Sequence, residues 1–180
     1  MFSHDISGGL FSDYAEVGAK NENSPGSKLF SILGKLEDYR NGEGKFRFKL
    51  CYPELTWGSG RSKCNEWIQT SNPYTDSTIT GFEAVSLAFD VDSERNDWRG
   101  LGKNVPEWEE FTAIDDDPDS EGYFSSLGAY SIWTQGSIAG PRHPTSSDGT
   151  FSFVTKVELY VQIAPYHLAK WYGAICNNLR

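Results

Sequence analysis

The sequence predicts a mainly β fold: an antiparallel β-sandwich of jelly-roll-like type, with one N-terminal amphipathic helix at about 27–40. Three observations carry this. KFRFKLCY at 45–52 and FSFVTKVELYVQI at 151–163 alternate apolar and polar residues with a period of two, as half-buried strands do. SKLFSILGKLEDYR at 27–40 instead spaces Leu29, Ile32, Leu33, Leu36 and Tyr39 at helical intervals. Polar, turn-rich loops separate the alternating runs, including DVDSERNDWRG, GKNVPEWEE, DDDPDSEG and GSIAGPRHPTSSDGT.

In chain order, residues 1–26 are rich in Gly, Ser, Asn and Asp with scattered aromatics. They predict an irregular, packed opening segment with a short helix near SDYAEVGAKN. Ser24 or Ser27 is placed to cap the helix at 27–40, and RNGEG ends it with glycines. In the first strand Phe46, Phe48, Leu50 and Tyr52 share a face opposite Lys45, Arg47, Lys49 and Cys51. NEWIQT at 65–70, TITGFEAVSLAF at 78–89 and GYFSSLGAYSIW at 122–133 are the next strand candidates. In the last run Phe151, Phe153, Val157, Leu159 and Val161 share a parity, and 165–180 forms a C-terminal extension. With 180 residues and no internal repeat, one domain, 1–180, is expected, large enough for a core without a cofactor.

The net charge of −9 and pI of about 4.8 argue against nucleic acid, which needs a basic stripe to displace counterions. No apolar run approaches the length of a membrane span. The opening MFSHDISGGLF lacks a basic start followed by an apolar block, so no signal peptide is predicted in this chain.

Cys51 and Cys64 enclose twelve residues. The three cysteines form no CxxC, and His4, His143 and His167 are too dispersed to complete a zinc site by motif. The simplest reading is a local disulfide, Cys51–Cys64, pinning the TWGSGRSK excursion between two strands; two buried reduced thiols are the alternative. The disulfide implies an extracellular location. It leaves Cys176 odd, available for oligomerisation with a partner chain or for a cysteine elsewhere.

The runs LFSILGKLEDYR, GKFRFKLCYPEL, CNEWIQTSNP, STITGF and VTKVELYV resemble the C-terminal domain of uncharacterised secreted proteins from cnidarians and similar marine invertebrates. These are of the coral skeletal organic matrix type, in which the domain can accompany EGF-like or fibrinogen-like segments. The resemblance covers about residues 10–161, and FKLCYPEL followed by CNEWIQTSNP is its most specific part. It implies an extracellular matrix or recognition role and carries no catalytic residues onto this chain.

Two acidic loops are the candidate metal ligands. DVDSERND brings Asp90, Asp92 and Asp97, and IDDDPDSEG brings Asp115, Asp116 and Asp117. Calcium takes six to eight such oxygens, often from a flexible loop. The first loop opens like an EF-hand, but Arg95 stands where that motif needs glycine. A solvated acidic surface is the competing reading.

Trp98, Arg99, Asn104, Trp108 and Glu110 are the candidate ligand-binding residues. Tryptophan faces suit the C–H surfaces of sugars, and the polar neighbours suit their hydroxyls. Tryptophans of small β-proteins also serve as core, and Trp67 sits inside a strand candidate. Carboxylates such as Glu107, Glu109 and Glu110 offer a glycoside hydrolase its residue types without its geometry. No GxSxG, HExxH or phosphate-cradling loop occurs. The expectation is therefore a non-catalytic, extracellular glycan- or matrix-binding module, lectin-like or adhesive, with calcium as a candidate aid. A structural or assembly protein of an extracellular or mineralising matrix is the alternative, and an enzyme ranks last.

Overall fold

A computed structural model describes residues 1–12, 14–53, 64–88, 99–103, 113–114, 142–144, 151–163 and 170–172. Eleven strands lie among them. They are β1 (Phe2–Asp5), β2 (Leu29–Ser31), β3 (Phe46–Cys51), β4 (Cys64–Gln69), β5 (Glu83–Leu87), β6 (Gly102–Lys103), β7 (Ala113–Ile114), β8 (Arg142–Pro144), β9 (Phe151–Phe153), β10 (Lys156–Ile163) and β11 (Lys170–Tyr172). A short helix α1 (Tyr14–Gly18) falls where the sequence predicts one. The protein is mainly β.

Seven strands form one antiparallel sheet in the order β2-β1-β10-β3-β4-β5, with β11 also beside β10. β10 is its centre. Val161 pairs with Phe48 of β3 on one side and with Tyr172 of β11 on the other, so β1 and β11 share one flank of β10. β8 pairs antiparallel with β9, and β6 pairs with β7 as a two-residue parallel ladder.

Residues directly opposite in an antiparallel ladder share a face. The pairs Phe48↔Trp67, Leu50↔Asn65, Val161↔Phe48, Leu159↔Leu50, Phe2↔Leu159 and His4↔Val157 therefore define one inner face, and all of these residues are buried. Leu33, Leu36, Phe11, Val17, Tyr52 and Leu101 complete the core on that face. The two-residue alternation seen in β3 and β10 is thus the alternation of core against outer face.

The amphipathic helix expected at 27–40 is not an α-helix. Leu29 belongs to β2, paired with His4 of β1, and residues Leu33–Tyr39 form 3₁₀ turns broken at Lys35. Leu33, Leu36 and Tyr39 recur every three residues, which is the 3₁₀ repeat and stacks them on one edge. Gly34 weakens any α-helical continuation, and the residue at the N-cap, Ile32, makes no side-chain cap, so only the Ser31 hydroxyl accepts from the Leu33 amide. The ladder to β1 then claims Leu29–Ser31.

The opening segment is likewise more regular than expected, since Phe2–Asp5 is a strand of the main sheet. At the other end β11 brings part of the C-terminal extension into the sheet, with Trp171 opposite Gln162. The run 151–163 divides at Val154 and Thr155, where the Thr155 carbonyl accepts from the Ile6 amide at 2.9 Å. The strand expected at 78–89 narrows to β5, and the candidate at 122–133 lies outside the described residues.

Candidate functional site

Cys51 and Cys64 stand directly opposite each other at the ends of β3 and β4, with Cα atoms 4.2 Å apart, and form a disulfide. That separation matches the close, non-hydrogen-bonded pair of an antiparallel ladder, the position at which two side chains meet most readily. The bond lies on the outer face. It continues a row that crosses five strands: Phe30, Ser3, Glu158, Cys51 and Cys64. Outer-face residues of a one-sided sheet are normally wet, yet the first four of these are buried, Glu158 to 4% exposure. The central sheet is therefore covered on both faces along this row.

Glu158 keeps its charge compensated there. Lys156 Nζ lies 2.8 Å from one carboxylate oxygen, and the Tyr160 hydroxyl donates to the other. Burial first, then the neighbouring Glu158, raises the Tyr160 phenol above its ordinary range. One row further, Arg47 Nε donates to Glu66 at 2.8 Å across β3 and β4.

On the inner face β4 carries two buried amides, Asn65 and Gln69, flanking Trp67. Gln69 uses its full hydrogen-bonding capacity. Its Oε1 accepts from Trp67 Nε1 at 2.7 Å and from the Leu101 amide at 3.1 Å. Its Nε2 donates to the carbonyls of Ser71 and Leu101, both at 2.9 Å. Asn65 Oδ1 accepts from the Ala88 amide at 2.8 Å. The segment 89–98 thus leaves from a residue held by Asn65 and returns to one held by Gln69. Four residues of one strand separate these anchors, about 13 Å at strand rise. Buried, satisfied amides of this kind fix position more than they add net stability.

The return side is tied further. Lys103 donates its amide to the Asp76 carbonyl at 2.8 Å, and the Asp76 amide donates to Asn72. Asn72 Nδ2 donates to Glu37 at 2.7 Å, and Glu37 pairs with Arg40. Arg40 also donates to the Thr70 carbonyl at 2.6 Å and lies 4.2 Å over the Phe46 ring.

Arg40 chiefly, with help from Asn72, holds the Glu37 carboxyl below its usual value, and Lys20 with Ser12 lowers Glu16 to about 2. A depressed carboxylate stabilises the fold above its unfolded pKa and loses that contribution as pH falls through the folded value. The melting temperature is expected to hold from pH 7 to 5 and then fall progressively toward pH 2. Glu37→Gln should flatten that fall by only about 0.5 kcal/mol, because the pair is partly exposed. A pH series of melting curves on both proteins checks this.

Of the residues expected to bind ligand or metal, only Arg99 is described; it is exposed, two residues before the Gln69-anchored Leu101. Asp90, Asp92, Asp97, Trp98, Asn104, Trp108, Glu110, Asp115, Asp116 and Asp117 lie outside the described residues. Among the described residues no three of His, Cys, Asp or Glu gather as a metal-holding group. Also among them, no helix is long and apolar enough to cross a membrane. The anchoring pair Asn65 and Gln69 escapes a reading of sequence, although both share the parity of Trp67, and that was the available signal.

No protein-family model, curated protein or solved structure matches the chain.

Proposed function

We propose that the chain is a secreted, non-catalytic glycan- or matrix-binding module, lectin-like or adhesive, in which calcium assists the ligand loops. The observation that carries this reading is the double anchorage of segment 89–98 to β4, which fixes both roots of the stretch containing Asp90, Asp92, Asp97 and Trp98. Recognition loops set on a rigid sheet keep their binding geometry at low entropic cost. The Cys51–Cys64 disulfide supports an oxidising, extracellular setting. The buried row from Phe30 to Cys51 on the far face supports a second layer, as a jelly-roll-like sandwich requires. The resemblance to secreted invertebrate matrix proteins points the same way.

A glycan array probed in calcium and again in EDTA tests the reading. Trp98→Ala or Trp108→Ala is expected to weaken the signal about tenfold or more while leaving the melting temperature unchanged. Saturating calcium should raise the melting temperature by about 5 °C over EDTA. A folded protein that binds no glycan or matrix polymer in either condition would sink the proposal. Assembly is the second reading, and the exposed edge strand β5 is the observation that favours it.

A further inference from the structure

The disulfide and the departing root of segment 89–98 are neighbours. Cys64 closes the ladder of β3 and β4, and Asn65, the next residue, holds the Ala88 amide at 2.8 Å. Asn65 is buried, with Leu50 opposite it on one side and Leu87 on the other. A bulge separates this end of β4 from the rest of its ladder to β5. Asn65 and Glu66 pair with Leu87 and Ser86, Trp67 and Ile68 pair with Ala84 and Glu83, and Val85 is the extra residue between. Residues 83–86 of β5 are exposed, so that strand adds little hold of its own. The piece beyond the bulge therefore rests on its ladder pairs, the Asn65 amide and the disulfide. Arg47, which donates to Glu66, marks its inner limit.

The two cysteines are not held alike. Cys51 is buried, and its strand is paired on both sides, to β4 and to Glu158 of β10. Cys64 is half-buried. With the bond cut, the β3 side keeps its place, while the β4 side loses its tether at a strand end, where ladders fray. The returning root is built differently. Leu101 engages Gln69 through both its amide and its carbonyl, and the bonds of Gln69 to Trp67 and Ser71 do not pass through the disulfide.

We propose that Cys51–Cys64 is a redox latch on the Ala88 root: reduction parts Ala88 from Asn65 and leaves Leu101 seated on Gln69. The reductant is a dithiol. One of its thiolates attacks the more open Cys64 sulfur, and Cys51 departs as a thiolate and takes a proton. The second thiol then displaces the Cys64 sulfur, which is released as the other thiol, and the dithiol closes into its own disulfide. Two electrons and two protons pass to the protein. The latch acts on the segment invoked by the glycan reading, and only its consequence for a ligand rests on that reading. A blank glycan array would sink the reading, whereas backbone exchange decides the latch whatever the segment binds.

Hydrogen exchange of the full chain carrying Cys176→Ser, followed by NMR at the Ala88 and Leu101 amides with and without dithiothreitol, is the test. Reduction should speed Ala88 about tenfold or more relative to Leu101, and reoxidation should restore it. Cys51→Ser with Cys64→Ser should show the reduced pattern without reductant. Asn65→Ala should release Ala88 with the sulfur bond intact, and reduction should then add less than about twofold. If the double variant does not fold, the reductant series on the folded parent decides alone. A ratio that stays level or falls, a cooperative loss of all protection on reduction, or a larger added effect in Asn65→Ala overturns the proposal.

Discussion

Gln69→Leu is expected to lower stability by at least about 3 kcal/mol, and the melting temperature by about 6–12 °C. Leucine fills nearly the same volume, so the loss isolates the polar part of the site. Five groups lose a partner together: Trp67 Nε1–H, the Leu101 amide, the carbonyls of Leu101 and Ser71, and the Ser71 hydroxyl. Each orphaned buried group costs about 1–3 kcal/mol, and partial access of water to the 99–103 segment recovers some of it. The damage should be local as well as global. Exchange of the Leu101 amide should accelerate well beyond the change in overall stability, because its acceptor is gone. A melting temperature within about 2 °C of the parent would mean that Gln69 does not hold this segment.

Removing the disulfide is the second large effect. Cys51→Ser with Cys64→Ser is expected to cost about 3 kcal/mol, from the entropy regained by a loop of this length in the unfolded chain. For a protein of this size that again corresponds to about 6–12 °C in melting temperature. Reductant should move the parent by the same amount and leave the double variant unmoved. Intact mass of the alkylated, unreduced protein should show a single free thiol, that of Cys176, out of three cysteines. Equal melting with and without reductant would remove the structural role assigned to the bond.

The strands that the sequence makes legible by a strongly amphipathic period of two are β3 and the body of β10, while β4 is marked by the turn-rich stretches that flank it. The disulfide was legible for a related reason, because its two cysteines end neighbouring strands that a turn-rich stretch joins. β1 was not legible. Four residues, FSHD, carry no usable period, and their partner stands at the far end of the chain. β2 was misread because spacings of three and of 3.6 residues cannot be separated over two turns. A distant ladder then outweighed the local preference of Leu29.

The site was harder still. Asn65 and Gln69 lie in a strand candidate, but their residue type does not announce the bonds to Ala88 and Leu101. Glu158 sits at a polar position of its strand and is buried regardless, because the outer face is covered there. Residue type marked the carboxylates and tryptophans of the loops. It could not tell which strand would hold their roots.

The place of β10 in the sheet has a consequence for how the chain is made. β1 and β2 are made before β3, β4 and β5, yet among the described strands the two ladders are joined in the sheet only by β10, residues 156–163. At elongation rates of about 5–20 residues per second, Phe2–Asp5 waits on the order of ten seconds for its neighbour. During that wait the inner edge of β3 is an unsatisfied template, and the Cys51–Cys64 bond can already lock β3 to β4. A nascent chain halted before Lys156 would therefore hold a hairpin fastened by sulfur and a separate two-strand ladder, with the strand that pairs with both still missing.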